Sequence, residues 1–321
     1  MNLPVLVAPD SFKGTFSATE VAGAIARGLR AGGRDAIELP VADGGEGTMD
    51  AIARALDAEL RSVSVSDPLG RGVDASFALL PNGKTAVVEA AQASGLGLVE
   101  EGERDAYAAS TRGTGELIVA ACEAGASTVL VTVGGSATTD GGAGALEALD
   151  DGGVDPRLEV LCDVRTAWEN APSVFAPQKG ADPETVKRLE KRLDQLAKGA
   201  PRDPRGVAMT GAAGGLSGGL WAYRGAKLRA GAPFVLDLVG FDEPMRQAAF
   251  AVTGEGKIDR QTLQGKIVGE VATRCRQAGV ACHAVVAKRE LDAFEARILD
   301  LSTITEATTL EQLESAGHAL S

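Results

Sequence analysis

The chain has 321 residues, a formal net charge of −12 and only 4% aromatic residues. Such a chain lacks the basic surface and stacking platforms that nucleic acids need, so no nucleic-acid partner is expected. The sequence contains no run of about 18 apolar residues, so no membrane span is expected. The length suits two domains or one large α/β domain. The segment after Met1 lacks the basic and apolar parts of a signal peptide, so we expect a cytoplasmic location.

Cysteine and histidine are scarce. The four cysteines show no C-x-x-C spacing and are predicted to be reduced thiols. His283 and His318 are the only histidines, which disfavours a His-rich zinc site and a Ser-His-Asp triad. Acid–base chemistry therefore falls to carboxylates or lysines.

The first 60 residues alternate strand and helix, a pattern typical of a parallel sheet with right-handed crossovers. Hydrophobic periodicity and capping signals give the order of the elements. They are strand 5–9, a helix begun by the capping box Ser17–Glu20 and ended by Gly32-Gly33, strand 37–41, and a helix striped by Met49, Ile52, Leu56 and Leu60.

The pattern changes near residue 61. Short strands joined by turns at 68–70 and 81–83 predict an antiparallel or mixed sheet. Asp182 and Pro183 begin a charged helix that we expect to be a solvated surface helix. The predicted elements are strands 63–65, 75–79 and 85–89, a helix near 114–124, and strands 129–133 and 158–162.

From Ala248 the alternation of strand and helix returns, with strand 250–253, helix 267–278, strand 283–286 and strand 302–305. The C-terminal segment is therefore expected to complete the N-terminal sheet. We predict a discontinuous domain of residues 1–60 plus 245–321 and an inserted domain of residues 61–244, with a cleft between them.

A glycine-rich run follows strand 129–133: Gly134-Gly135-Ser136-Ala137-Thr138-Thr139-Asp140-Gly141-Gly142. Backbone N–H groups free of Cβ atoms, hydroxyls and one carboxylate suit a phosphate with its Mg²⁺. The run matches neither G-x-x-x-x-G-K-[ST] nor G-x-G-x-x-G. A phosphate loop and a tight turn without a ligand both remain open on chemistry alone.

Charged side chains among glycines also follow other strands. Lys13 after the first strand could bind a carboxylate or a phosphate, or lie in a polar loop before the next helix. The acids of 43–48 could orient a hydroxyl, accept its proton or hold Mg²⁺, or belong to a solvated turn. Segment 253–259, predicted to be a loop, suits Mg²⁺ and phosphate oxygens. Run 211–219 suits an anion or close helix packing equally.

Glycines with acids and lysines recur at strand ends, whereas these segments contain no histidine and no reactive cysteine motif. Phosphoryl transfer depends mainly on positioning and charge neutralisation, and these residue types supply both. The motifs resemble, in order over most of residues 1–270, those of the bacterial two-domain glycerate kinase family. The segments that carry the resemblance are 9–14, 41–48, 67–71, 113–118, 134–142, 177–181 and 253–259.

The resemblance implies an ATP-dependent kinase that converts D-glycerate to 2-phosphoglycerate with Mg²⁺. It also implies a Rossmann- or flavodoxin-like domain with an inserted mixed α/β domain. The sequence departs from the family where the chain is short after Leu149, at 165–168, and at 288–290, where glycine and small residues are expected. These departures concern the rim of the nucleotide pocket.

Within this hypothesis Asp43 orients or deprotonates the substrate hydroxyl, and Lys13 holds the substrate carboxylate or the transferred phosphoryl group. Asp140 is the third predicted catalytic residue, and with Glu255 and Asp259 it forms the predicted Mg²⁺ set. The predicted substrate- and phosphate-binding residues are Ser11, Gly44, Gly45, Glu46, Gly134, Gly135, Ser136, Thr138, Lys179, Lys257 and Lys266.

Two other functions remain open. The shortened centre would also suit a catalytically degenerate relative that binds a nucleotide or sugar acid without phosphoryl transfer. A Rossmann-type oxidoreductase should carry G-x-G-x-x-G after the first strand, where this chain has Asp10-Ser11-Phe12-Lys13-Gly14. The expected partners are D-glycerate and ATP, and a homodimer is left open.

Overall fold

The computed structural model describes residues 3–260 and 262–321. The strands are β1 (Val5–Pro9), β2 (Ala36–Glu38), β3 (Glu59–Ser66), β4 (Gly72–Leu79), β5 (Thr85–Glu89), β6 (Thr128–Thr132), β7 (Arg157–Cys162), β8 (Lys227–Ala230), β9 (Ala251–Ile258), β10 (Cys282–Arg289) and β11 (Thr303–Glu306).

The α-helices of the described residues alternate with these strands. They are α1 (Ala18–Ala31), α2 (Thr48–Ala55), α3 (Ala91–Ser94), α4 (Arg112–Glu123), α5 (Ala143–Asp151), α6 (Ala171–Phe175), α7 (Pro183–Gly199), α8 (Leu216–Arg224), α9 (Gly231–Leu238), α10 (Asp242–Arg246), α11 (Ile267–Ala278), α12 (Ala293–Ile298) and α13 (Leu310–Ala319). None of the helices in the described ranges combines the length and apolar character needed to cross a bilayer.

The chain separates into two compact units. Unit 1 comprises the described residues within Met1–Asp43, Asp50–Ala55 and Ala232–Ser321, and unit 2 comprises Gly44–Met49 and Leu56–Gly231. The predicted domain limits, 1–60 plus 245–321 and 61–244, stay a prediction.

Unit 1 contains a parallel sheet built from both ends of the chain, in the order β11-β10-β9-β1-β2. Counted along this unit the order is 2-1-3-4-5, which is the flavodoxin-like arrangement. Because successive strand residues face opposite sides, Val5 and Val7 pack with α1, whereas Leu6 and Ala8 pack with α9 and α11. The expected α/β fold with a parallel sheet from both chain ends is confirmed.

Unit 2 contains a mixed sheet in the order β3-β4-β5-β6-β7-β8. Strands β3 to β5 pair antiparallel and strands β5 to β8 pair parallel, so β5 joins the two parts of the sheet. One core joins the sheet to α4, α5 and α8, through Leu117, Leu149 and Leu216 among others. The predicted mixed sheet is therefore confirmed.

Local sequence signals place several elements correctly. Strand β1 and helix α11 have the predicted limits. The capping box at Ser17 and Glu20 is formed, and the Asp182 side chain accepts the Thr185 N–H at 2.7 Å as the cap of α7. These signals succeed because each cap bond joins residues that are close in sequence.

Two predictions of local structure are wrong. The helix striped by Met49 and Ile52 does not reach Leu60, because α2 ends at Ala55, Asp57 adopts a left-handed φ of 52° and Leu60 lies in β3. The segment predicted as a loop after residue 253 continues β9 to Ile258. Strand β10 pairs with β9 as far as Ile258, whereas β1 pairs with it only as far as Gly254, so hydrogen bonds to β10 keep the segment extended beyond Gly254.

Candidate active site

The first cavity lies in unit 1 and encloses about 380 Å³. The segments after β1 and β2, the end of β9, and residues near α11 and β10 surround it. In open parallel sheets, ligands bind at the carboxyl ends of strands where the strand order reverses, and here that point lies between β1 and β9. We call it the carboxylate cavity; its lining includes Asp10, Ser11, Lys13, Asp43, Glu255, Lys257, Lys266 and Lys288.

Three buried carboxylates give this cavity its chemistry. Asp10, Asp43 and Glu255 are 4%, 4% and 6% exposed. Desolvation and then the Asp43 charge raise the pKa of Asp10 well above its usual range. Desolvation also raises the pKa of Glu255 to about 7, although the Thr262 hydroxyl donates to Glu255 Oε1 at 2.6 Å and Lys266 lies nearby. A hydroxyl proton or a cation would relieve this crowding of like charge.

Lysines surround these acids. Lys13 and Lys266 act electrostatically on Asp10 and Glu255, respectively, and favour their ionised forms. Lys257 is about half exposed and pairs with Asp259 at 3.0 Å and Glu290 at 3.3 Å. The predicted binding residue Lys257 and the predicted metal ligand Asp259 therefore form an ion pair at the end of β9.

Unit 2 brings the segment 44–49 against the glycine loop, residues 134–142. The Val133 N–H donates to Gly44 O at 3.1 Å. A Cβ on Gly134 would lie 2.4 Å from Gly45 Cα, so only glycine permits this approach. Predicted binding residues Gly44, Gly45, Gly134 and Gly135 are thus neighbours, and the Glu46 carboxylate lies near Gly135.

Glu89 holds segment 44–49 in place, and the sequence analysis missed it. Its buried carboxylate accepts the N–H groups of Gly47 at 3.0 Å and Met49 at 3.0 Å, at the start of α2. An acid at a helix N-terminus is favoured by the helix dipole. The available signal was an acid that ends the otherwise apolar strand β5.

Asp140 fixes the far end of the glycine loop. Its Oδ2 accepts the Thr111 N–H at 2.9 Å, the Thr111 hydroxyl at 2.8 Å and the Gly144 N–H at 3.1 Å. Its Oδ1 accepts the Gly142 N–H at 3.0 Å. A predicted metal ligand thus already receives four hydrogen bonds, and Thr111 is a second residue that the sequence analysis missed.

The second cavity lies in unit 2 and encloses about 250 Å³. We call it the lysine cavity. Lys179 is the last residue of the short helical turn Pro177–Lys179 and is 3% exposed. Its Nζ donates to Ser136 Oγ at 2.9 Å and to Thr138 O at 2.6 Å. Gly134, Gly135 and Asp163 also line this cavity.

The run 211–219 packs beneath the glycine loop rather than presenting an open helix end. A Cβ on Gly214 would lie 2.0 Å from Thr138 O, and the Gly141 N–H donates to Gly214 O at 3.1 Å. Trp168 is buried beside Gly215 and donates from Nε1 to Leu193 O at 3.0 Å. Of the two functions predicted for this run, the contacts favour close packing, and the departure at 165–168 supplies its support.

The donor chemistry of both cavities suits a nucleotide with Mg²⁺. Within the described residues no group of three or more His, Cys, Asp or Glu side chains is arranged for a metal ion. Mg²⁺ commonly uses one or two protein carboxylates together with substrate phosphates and water, so Glu255 and its neighbours fit. The buried hydroxyls of Thr138 and Thr139 have no hydrogen-bond partner among the described residues, which suits a polar ligand.

Comparison with known proteins places these features in a family. The model of the glycerate kinase family matches residues 5–157 and 150–319. A glycerate 2-kinase of Escherichia coli K12 is 36% identical, with 95% of this chain and 93% of the relative covered. A glycerate kinase of Bacillus subtilis 168 is 40% identical, with 82% and 79% covered.

A solved structure gives the same result. The crystal structure of a putative glycerate kinase 2 from Salmonella typhimurium LT2 matches with a TM-score of 0.83 and 33% identity. The match covers 100% of this chain and 97% of that chain. The two ranges of the family match overlap at 150–157, where the resemblance predicts a shortened segment.

Proposed function

This chain belongs to the glycerate kinase family, and from that premise we propose that it transfers the γ-phosphoryl group of ATP to a hydroxyl of D-glycerate, forming 2-phosphoglycerate. The relatives named glycerate kinases support the substrate. The observation that carries the chemistry is the set of buried carboxylates Asp10, Asp43 and Glu255 around one cavity at the sheet's switch point.

Asp43 is the proposed base. The substrate hydroxyl oxygen forms a bond to the γ-phosphorus, the bond from that phosphorus to the β,γ-bridging oxygen breaks, and the hydroxyl proton passes to the Asp43 carboxylate. ADP leaves with the electrons of the broken bond. Lys13, on the exposed side of the same cavity, is proposed to hold the substrate carboxylate or the transferred group, with Ser11 and Lys266 beside it.

The glycine loop is the proposed phosphate site. The N–H groups of Val133 and Ala137 donate to backbone carbonyls. The N–H groups of Gly134 and Gly135 donate no backbone hydrogen bond among the described residues. Two such amides beside the Ser136 hydroxyl and the Lys179 amine suit phosphate oxygens. The other proposed binding residues of the same unit are Thr138, Gly44, Gly45 and Glu46.

Mg²⁺ would neutralise charge on the phosphates, and the candidate ligands are Glu255 and Asp259 in unit 1 and, separately, Asp140 in unit 2. Glu255 faces the carboxylate cavity. Asp259 would have to release Lys257, and Asp140 would have to exchange some of its four donors for the ion. We therefore expect Glu255 to be the strongest of the three ligands.

The test is to incubate the purified protein with ATP, Mg²⁺ and a panel of small hydroxy acids, and to identify products by ³¹P NMR. The proposal expects 2-phosphoglycerate from D-glycerate. A 3-phosphoglycerate product would correct the position of transfer. ATP binding without any phosphorylated acid would instead favour the catalytically degenerate relative.

A further inference from the structure

Lys179 is a buried lysine that forms no hydrogen bond to a carboxylate within residues 3–260 and 262–321. Both hydrogen bonds from its Nζ reach neutral oxygens, the Ser136 hydroxyl and the Thr138 carbonyl. No acid of the described residues forms an ion pair with it. An ammonium group carries three donors, so one donor position is left toward the cavity.

The charged groups around Lys179 do not neutralise it. Asp140 is the acid that acts on it electrostatically, yet the Asp140 oxygens bind Thr111, Gly142 and Gly144 instead. Asp163 is the other titratable residue that lines the lysine cavity within the described residues. Burial lowers the pKa of Lys179 to about 7, and the Asp140 charge offsets only part of that effect.

The cavity beside this amine is built for oxygen ligands. Its volume of about 250 Å³ is several times the roughly 30 Å³ share of one water molecule. Gly134, Gly135 and Ser136 line it beside Lys179. A phosphoryl or carboxylate group could accept from the glycine amides, the Ser136 hydroxyl and the Lys179 amine.

We propose that the lysine cavity is a proton-linked anion site, in which an entering phosphoryl or carboxylate group makes the protein take up one proton at the Lys179 amine. The proposal rests on the proposed function for the source of the anion, which is either ATP or D-glycerate. An anion within hydrogen-bond reach favours the ammonium form, so occupancy and protonation strengthen each other.

The sign of the linkage follows. At pH 6 the empty site already carries the proton, so binding takes up only about 0.1 proton if the empty amine titrates near 7. At pH 8 the empty amine is mostly neutral, and binding takes up about 0.9 proton. Anion affinity should therefore be constant at low pH and fall up to tenfold per pH unit above pH 7.

The experiment is isothermal titration calorimetry of the full chain in two buffers of different ionisation enthalpy, at pH 6 and pH 8. ATP and D-glycerate are titrated separately. Lys179→Arg keeps a permanent charge and Lys179→Met removes it, so both should lose the proton uptake at pH 8. Lys191→Met, on an exposed position of α7, is the matched control and should retain it.

The ligand that shows Lys179-dependent uptake identifies the group that enters the cavity, and any protonation of the ligand itself is common to all variants. Equal uptake in the wild type and Lys179→Arg for both ligands would overturn the inference. If phosphoglycerate still forms in that case, the proposed function stands. Lys179-dependent uptake without any phosphoglycerate product would retain the site and reject the proposed reaction. The wild-type comparison of buffers needs no variant to fold.

Discussion

The two cavities carry opposite buried charge. The carboxylate cavity of unit 1 contains acids whose pKa values are raised by burial, as at Asp10 and Glu255. The lysine cavity of unit 2 contains a lysine whose pKa is lowered by burial. Each set of groups is kept partly neutral by the protein and becomes charged more readily when a ligand of opposite charge arrives.

This difference shows where each unit stores unfavourable energy. A buried ionisable group that lacks a close counter-charge destabilises the fold, and it persists where a ligand supplies the missing charge. The acids of unit 1 suit a cation or a hydroxyl proton, whereas the lysine of unit 2 suits an anion.

Lys179→Met should show the largest change in stability. Below the folded pKa of about 7, burial of the charged Lys179 amine lowers the free energy of unfolding. This destabilisation disappears as pH rises from 7 toward 10.5, the pKa of lysine in the unfolded chain. At pH 6 the substitution removes at most about 5 kcal/mol of this destabilisation, but about 2 kcal/mol of stability is lost because the two hydrogen bonds of the amine disappear. Urea unfolding from pH 6 to 9.5 should show the advantage shrinking as pH rises; a difference independent of pH contradicts the prediction.

Asp43→Asn should lower kcat about 10³-fold, because an amide cannot accept the hydroxyl proton. The corresponding change in activation free energy is about 4 kcal/mol. A coupled assay with ATP, Mg²⁺ and D-glycerate measures it. Asp50→Asn, on the exposed first turn of α2, is the control and should leave turnover unchanged. Turnover near that of the wild type in Asp43→Asn would remove the assignment.

Glu255→Gln should show the opposite pH trend to Lys179→Met. Glu255 stays protonated in the fold up to about pH 7, whereas the unfolded chain loses this proton near 4.5, so wild-type stability falls between these values. Glutamine avoids that loss, and the variant should gain about 3 kcal/mol over the wild type as pH rises from 4.5 to 7.5. Urea unfolding in EDTA measures it. A gain that decreases over this range would break the comparison.

Asp140→Asn should destabilise the metal-free protein by about 2 kcal/mol, since the amide nitrogen cannot accept the N–H groups that the carboxylate holds. Unfolding in EDTA isolates this role from Mg²⁺ binding. Asp74→Asn, at an exposed position of β4, provides the reference. If stability stays constant and only Mg²⁺-dependent activity falls, Asp140 acts as a metal ligand rather than as the anchor of the glycine loop.

Gly134→Ala should have the smallest effect, about 1–2 kcal/mol, because its Cβ would press on Gly45 and separate the glycine loop from segment 44–49. KM for ATP should rise at the same time. Gly97→Ala is the matched control, since a Cβ there meets no atom within 4 Å. Equal stability and KM in the two variants would show that the close approach is not required.

Local features of the chain predicted much of the fold. The capping box at Ser17, the cap at Asp182 and the stripe of α11 depend on residues within a few positions of one another. Because these signals extend over only a few positions, they also explain the two wrong predictions, the end of α2 and the extent of β9. No local signal near Leu60 indicated that the helix would end before Asp57. No local signal within 254–258 indicated that pairing with β10 would keep these residues extended.

Patterns along the chain predicted most of the strand and helix order, the family resemblance and the residue types available for chemistry. The folded chain shows which of those residues are buried and which groups lie beside them. In the sequence Lys179 is a lysine in a turn, and the fold buries it against Ser136 and Thr138. Glu89 is a strand residue in the sequence, and in the fold it accepts a hydrogen bond from the start of α2. Desolvation depends on segments distant in sequence, so it cannot be read from neighbours along the chain.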